Sequence, residues 1–198
     1  MMDATLRRRA EHLLARIEPF LPSHGELLDI GCGTGHNGQA IRGSMPALHV
    51  SEADVTDMKV IGPPPVLFAG GLPFEDSAFD VGTMLFVLHY PRDPLALLRE
   101  AHRVVRRQLI VVQSTRSGPV ARRILATREW FQGRGAFALA RRVGLVPPRS
   151  CVLRPARVMD HATLEQLFRE AGWQIEHHAP QTWPLTKVSR DLFVLEKA

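Results

Sequence analysis

Residues 27–38 read LLDIGCGTGHNG, and this stretch decides the fold. Leu27, Leu28 and Ile30 form an apolar run of the kind a strand buried on both faces requires. Gly31, Gly33 and Gly35 then make a tight turn, and a helix follows near residues 37–42. Strand, glycine turn and helix in this order are the context of a nucleotide-cofactor loop. Glycine tolerates positive φ and close backbone approach, and the amides at the helix start face an anionic group. The dinucleotide fingerprint fails, because it needs a third glycine at position 36, where His36 stands. No Gly-Lys-Ser/Thr follows, so the phosphate-cradling loop fails as well. Asp54 lies 23 residues past Gly31, at the end of the next strand, where a carboxylate can accept hydrogen bonds from ribose hydroxyls.

Working outward, the pattern predicts an amphipathic helix over 5–21, ended by the Pro22-Ser23-His24-Gly25 turn. Further strands are expected at 48–53, 66–69, 80–88 and 109–113, with a helix at 91–105 carrying Leu95, Leu98, His102 and Val105 on one face. Asp160 caps a helix over 161–171 that Gly172 closes, and strands near 173–178 and 191–196 are able to pair as an antiparallel hairpin. Strands alternating with helices imply a doubly wound α/β domain with a mostly parallel sheet. At 198 residues with 45% apolar content, the chain fits one domain, 1–198, with one contiguous core.

No apolar run approaches the roughly 20 residues that span a bilayer. The first residues put Asp3 and three arginines ahead of mixed polar and apolar positions, a helix pattern without the apolar middle of a signal peptide, so a cytoplasmic protein is expected. Cys32 and Cys151 give neither a disulfide framework nor a zinc spacing. The His177-His178 pair alternates across strand faces without evident ligand company, so no metal is expected.

The residues 29–35, DIGCGTG, resemble the first motif of class I S-adenosylmethionine-dependent methyltransferases, D-x-G-x-G-x-G. A second stretch, LPFEDSAFD at 72–80 followed by FVLH at 86–89, is similar to the L-P-F…F-D…V-L-H-H run of the small-molecule branch of that family. The resemblance implies a Rossmann-like sheet of seven strands with an antiparallel last strand, and S-adenosylmethionine across the carboxyl ends of the first, second and fourth. It assigns Gly31, Gly33 and Gly35 to the methionine moiety, Asp29 to the turn and the ammonium group, and Asp54 to the ribose. It also places Gly71 and Leu72 at the adenine, and the backbone of Met84 and Leu85 at the methionine amine. Two departures stand out. Ala69-Gly70-Gly71 replaces the acid that often precedes L-P-F, and Arg106-Arg107-Gln108 replaces a Pro-Gly-Gly turn.

Methyl transfer from a sulfonium needs mainly orientation and exclusion of water. His89, after the fourth strand, is the candidate for positioning the acceptor or taking its proton, because imidazole titrates near neutrality. Tyr90 is the candidate donor to the acceptor; packing roles for both residues stay open. No Asn-Pro-Pro-Tyr or Asp-Pro-Pro-Tyr follows the fourth strand, which favours an oxygen or carbon acceptor over an amide nitrogen.

Residues 116–158 hold ten arginines against the single acid Glu129, a net +9, while the remainder of the chain sums to −4. Gly118-Pro119 and Pro147-Pro148 bracket this stretch as a helical insertion. It admits four readings: a solvated lid, a lid over an acidic small acceptor, a membrane-surface helix gathering a lipid-like acceptor, and an RNA contact. The absence of an appended RNA-binding module disfavours nucleic acid. A cofactor-sensing or scaffold protein without turnover is the non-enzymatic alternative, opposed by the intact Asp29, glycine turn and Asp54.

Overall fold

The computed structural model describes residues 2–116, 159–183 and 188–198. Helix α1 (Met2–Ile17) runs through a single 3-10 turn (Glu18–Phe20) into β1 (Gly25–Ile30), followed by α2 (His36–Ser44), β2 (Leu48–Asp54), β3 (Val66–Leu67) and β4 (Phe79–Leu85). Then come α3 (Pro94–Val104), β5 (Val105–Arg116), α4 (His161–Glu170), β6 (Trp173–Ala179), β7 (Thr182–Trp183) and β8 (Val188–Lys197). Seven strands lie in the order β3-β2-β1-β4-β5-β8-β6, and the two-residue β7 pairs with β8 beyond β6. Strands β1 to β5 are mutually parallel, and β8 is antiparallel to both its neighbours. This is the expected Rossmann-like sheet.

Strand β1 sits between β2 and β4, so successive connections leave it in opposite directions and open a crevice at its carboxyl end. Alternation along the strand explains its apolar run. Leu27 joins the core under α1, with Leu14, Ile17 and Ile41. Leu28 and Ile30 join the opposite core, with Leu98, Leu164 and Phe168. Each of the three is fully buried, worth about 1.5–3 kcal/mol per side chain.

Helix α3 begins later than expected, because Asp93 caps it by accepting from the Ala96 amide at 3.0 Å and Pro94 takes the first turn. Its buried face is Leu97, Leu98, Ala101 and Val104, displacing the expected stripe of Leu95, Leu98, His102 and Val105. The missing Pro-Gly-Gly turn has a simple outcome, since α3 ends at Val104 and β5 starts at Val105. Trp173 of β6 donates its indole N–H to the Leu98 carbonyl at 3.1 Å, tying the far edge of the sheet to α3.

Arg103, on the flank of α3, donates to the carbonyls of Leu72 and Phe74 and to Asp76, each at 2.8 Å. Glu100 accepts from the Leu72 amide at 2.8 Å. The L-P-F motif is thus a strap fastened along α3, carrying the chain from the edge strand back to the start of β4. Among the described residues no helix is long and apolar enough to cross a membrane. The basic insertion at 116–158 falls almost wholly outside the described residues.

Candidate active site

The glycine turn closes on the end of β2. The amides of Gly31 and Cys32 donate to the Ala53 carbonyl at 2.7 and 3.3 Å, and the Gly33 amide donates to Asp54 Oδ2 at 2.8 Å. Gly31, Gly33 and Gly35 all take positive φ, at 78°, 55° and 82°. Their surroundings differ in a telling way. A methyl group at Gly31 would meet Val87 at 2.6 Å, and one at Gly35 would collide with the Ile61 carbonyl and the Lys59 side chain. At Gly33 a Cβ meets nothing within 4 Å. Two glycines are therefore required by the protein's own packing, while the middle one borders open space at the carboxyl end of the sheet.

Asp54 is buried, and besides Gly33 it accepts from the Val55 amide at 2.7 Å and the Thr56 amide at 3.4 Å. The residue expected at the ribose is thus also the clasp of the turn. Nearby Glu52 is engaged elsewhere, pairing with Arg42 at 2.6 Å and Lys59 at 2.5 Å while its side chain lies against Gly38. That pairing fastens the loop after β2 to the turn, and the Val60 amide donates to the Thr34 carbonyl at 3.2 Å. Asp54→Ala removes the amide clasp and, where the sequence expects the ribose, a carboxylate acceptor. We expect cofactor affinity to fall by about 1.5–3 kcal/mol, the scale for hydrogen bonds to a charged group. Calorimetric titration checks this, and a loss of a few tenths would move the ribose contact elsewhere.

Asp29 lies opposite Glu52 and Thr83 in the sheet and is 1% exposed. Its Oδ1 accepts from the Thr83 hydroxyl at 2.8 Å, and its Oδ2 is buried without a hydrogen-bond partner. Burial pushes the carboxyl up to about 7, with Glu52 and Asp54 adding to the rise. A cation arriving at this carboxylate favours the ionised form, so binding releases a proton and tightens as pH rises through about 7. Titrations between pH 5.5 and 7.5 should show that trend, and Asp29→Asn, which keeps the Thr83 contact, should flatten it. A pH-independent affinity in the parent protein would remove Asp29 from the ligand. The neighbouring Cys32 thiol is buried and pushed up to about 12, so it stays protonated.

Met84 and Leu85 end β4, both buried. The strand stops there, short of the expected 88, because Phe86 turns to φ 63° and donates its amide to the Val112 carbonyl at 2.7 Å. Val87 then crosses over Gly31. Leu72 does not join this group. Its amide and carbonyl are taken by Glu100 and Arg103, and its side chain is in the core. Gly71 is exposed, with Glu100 3.1 Å from where a Cβ would stand. The residue at the carboxyl end of β3 is instead Phe68, whose amide donates to the Asp54 carbonyl at 3.2 Å.

His89 and Tyr90 follow in a turn in which the Tyr90 amide donates to the Val87 carbonyl at 3.0 Å. Their rings lie 4.0 Å apart. Burial lowers the His89 pKa, which keeps the imidazole neutral near pH 7. Gln113, buried at the carboxyl end of β5, donates its amide to His89 Nδ1 at 2.8 Å, and its Oε1 has no partner. The amide orientation sets the tautomer. In this one His89 Nε2 carries the hydrogen; with the amide turned over, Nδ1–H donates to Oε1 and Nε2 is left as a base. Sequence reading missed Gln113, and the signal was a polar residue directly after the apolar run 109–112, toward the crevice side of an open sheet.

An open space at Gly33, an unpartnered buried carboxylate oxygen on Asp29 and a clasping carboxylate on Asp54 fit a ligand with a cationic amino-acid end and a hydroxyl-bearing sugar. The comparisons agree. A methyltransferase-domain family model matches residues 2–178. A demethylmenaquinone methyltransferase from Roseiflexus sp. (strain RS-1) is 33% identical over 165 residues, covering 77% of this chain and 69% of that protein. The fold is shared with an S-adenosylmethionine-dependent methyltransferase from Methanosarcina mazei at TM-score 0.62 and 17% identity, over 91% of this chain and 96% of the other. It is also shared with the magnesium protoporphyrin IX methyltransferase of Synechocystis PCC 6803, solved with bound S-adenosylhomocysteine. That match has TM-score 0.61 and 15% identity over 97% of this chain and 83% of the other. The chain belongs to the class I methyltransferases: it is an S-adenosylmethionine-dependent enzyme.

Proposed function

We propose that the enzyme methylates an oxygen or ring carbon of a small acceptor with lipid-like character, and that His89, held by Gln113, takes the acceptor's proton. The observation that carries this reading is the 2.8 Å hydrogen bond between His89 and Gln113 at the carboxyl ends of β4 and β5, with β4 directly beside the glycine-turn strand β1. When bound, S-adenosylmethionine supplies a methyl group on a sulfonium that already has a good leaving group. The chain's own task is orientation, exclusion of water and removal of a proton.

In this assignment Gly33 borders the methionine moiety, Asp29 meets its cationic end together with the backbone at Met84 and Leu85, and Asp54 takes the ribose. Phe68, next to Asp54, replaces Leu72 as the residue nearest the adenine. With the Gln113 amide turned so that His89 Nδ1–H donates to Oε1, His89 enters neutral with Nε2 free, and it receives a proton there from an ionising hydroxyl without first losing one. Tyr90 is 40% exposed and lies against His89, offering an aromatic face and a phenol to an acceptor ring. The relative from Roseiflexus is named for a demethylated isoprenoid quinone, and a quinol carries both the acidic hydroxyl and the apolar body this site suits. The +9 of residues 116–158 is read as a lid that meets an acidic acceptor group or the anionic surface that carries it. The whole chain works as one domain on this reading.

The test is transfer of a labelled methyl group to a demethylated naphthoquinol, to phenolic carboxylates and to an RNA pool. Label in the quinol or the phenolic acids supports the reading. Label in RNA alone overturns it.

A further inference from the structure

On the far side of β5 from β4, three side chains that the sequence keeps well apart converge. His161 opens α4, His178 stands near the end of β6, and Asp191 lies in β8. One ligand atom from each lies within 4.8 Å of the others, and His178 Nε2 is 3.9 Å from Asp191 Oδ2. The Nε2 atoms of both histidines are buried and have no hydrogen-bond partner. A buried imidazole nitrogen left in this state loses the hydrogen bonds it had in water, and two such nitrogens near one carboxylate call for a shared partner.

We infer that His161, His178 and Asp191 bind one divalent transition metal ion of the zinc class. The supporting contacts are those of a ligand set. Glu165 Oε1 lies 3.2 Å from His161 Nδ1, one helical turn on, and a carboxylate beside that nitrogen favours the ring's hydrogen on Nδ1 and a free lone pair on Nε2. His178 is stacked on Phe193 at 4.6 Å and 13°, so its plane is held. Asp191 is 3% exposed and oriented on both oxygens, accepting from the Thr115 hydroxyl at 2.5 Å and from the Ser189 hydroxyl. Two imidazoles and one carboxylate match zinc and its neighbours, whereas calcium and magnesium prefer all-oxygen sites. Zinc bonds of about 2.1 Å set tetrahedral ligand atoms roughly 3.4 Å apart, so closure asks for shifts of about an ångström in the two partly exposed rings.

Three protein ligands leave the fourth position for water or another small donor. The location gives the site a bearing on the rest of the molecule. Asp191 is the cross-strand partner of Gln113, whose amide holds His89, so the ion would be bound on the strand next to the one that positions the proposed base. The inference rests on the cluster alone and does not depend on the acceptor.

Untagged full-length protein titrated with Zn2+ by calorimetry, and with Co2+ by visible absorption, provides the test. One ion per chain is expected, with Co2+ giving the intense bands of a low-symmetry four-coordinate site. Histidine ring nitrogen resonances of the parent protein should move at His161 and His178. His161→Gln, at a side chain 37% exposed, should weaken Zn2+ binding at least tenfold with an unchanged circular dichroism spectrum. Glu165→Gln should weaken it by about 10–100-fold through the ring it orients. No stoichiometric ion, ring resonances that stay in place, or undiminished affinity in His161→Gln would each overturn the site.

Discussion

Gly33→Asn should leave the protein folded and cost it at least about 100-fold in cofactor affinity, close to 2.8 kcal/mol. The two halves of this expectation come from separate observations. Asparagine tolerates the left-handed conformation better than other side chains, so a φ of 55° adds little strain. A Cβ at this position meets no atom within 4 Å, so the substitution does not disturb the packing there. The new side chain instead fills the space that the methionine moiety is assigned to occupy. Gly31→Ala and Gly35→Ala serve as contrasts. Each drives a methyl group into protein atoms, Val87 for one and the Ile61 carbonyl with Lys59 for the other, so each should lower the melting temperature as well as the affinity. Calorimetry with S-adenosylhomocysteine and a thermal melt on the three variants separate the cases. A folded Gly33→Asn protein that binds as the parent does would contradict the placement of the ligand at this turn.

His89→Ala should lower kcat by about 10²- to 10⁴-fold, the range of a general acid–base contribution, while cofactor affinity stays within a factor of two or so. The split follows from the geometry, since the hydrogen bond that holds His89 comes from Gln113 of β5, a residue outside the set assigned to the cofactor. Gln113→Leu should move in the same direction by a smaller amount, because it leaves the imidazole in place but frees its tautomer. The pH profile gives a second readout. With a base whose pKa burial has lowered, activity should rise with pH and level off below the range of an exposed histidine, and Gln113→Leu should displace that limb. Loss of cofactor binding with His89→Ala, or full activity, would return the residue to a packing role.

How far the sequence could be read depended on how local the deciding contacts are. The strand, turn and helix of residues 27–38 were legible because the apolar run and the glycines are enough to specify them. A mostly parallel sheet followed from the alternation of strands with helices, and its antiparallel last strand from the family resemblance. The extent of β5 was not legible, because Arg106 and Arg107 at its start look like a loop, whereas Val105 and Gln108 on either side pair with β4 and the two arginines fill the irregularity between them. The face of α3 was misplaced because the cap at Asp93 and the first-turn Pro94 start the helix three residues late. The surroundings of Leu72 were hidden for a similar reason. A family motif does not reveal that Glu100 and Arg103 consume its backbone groups. Gln113 and the cluster of His161, His178 and Asp191 depend on which strands are neighbours, and the cluster's ligands lie 17 and 13 residues apart, a spacing with no local signature.

In the proposed assignment the glycine turn, Asp54 and the end of β4 hold the cofactor with its reacting end toward His89. A crystal structure with S-adenosylhomocysteine tests this most directly. The expected ligand has its amino-acid end over Gly33 with its amine near Asp29 or the backbone at Met84 and Leu85, the ribose hydroxyls on Asp54, and the thioether sulfur open toward His89. A ligand seated elsewhere on the sheet, or bound at the turn with its sulfur turned away from His89, would contradict it.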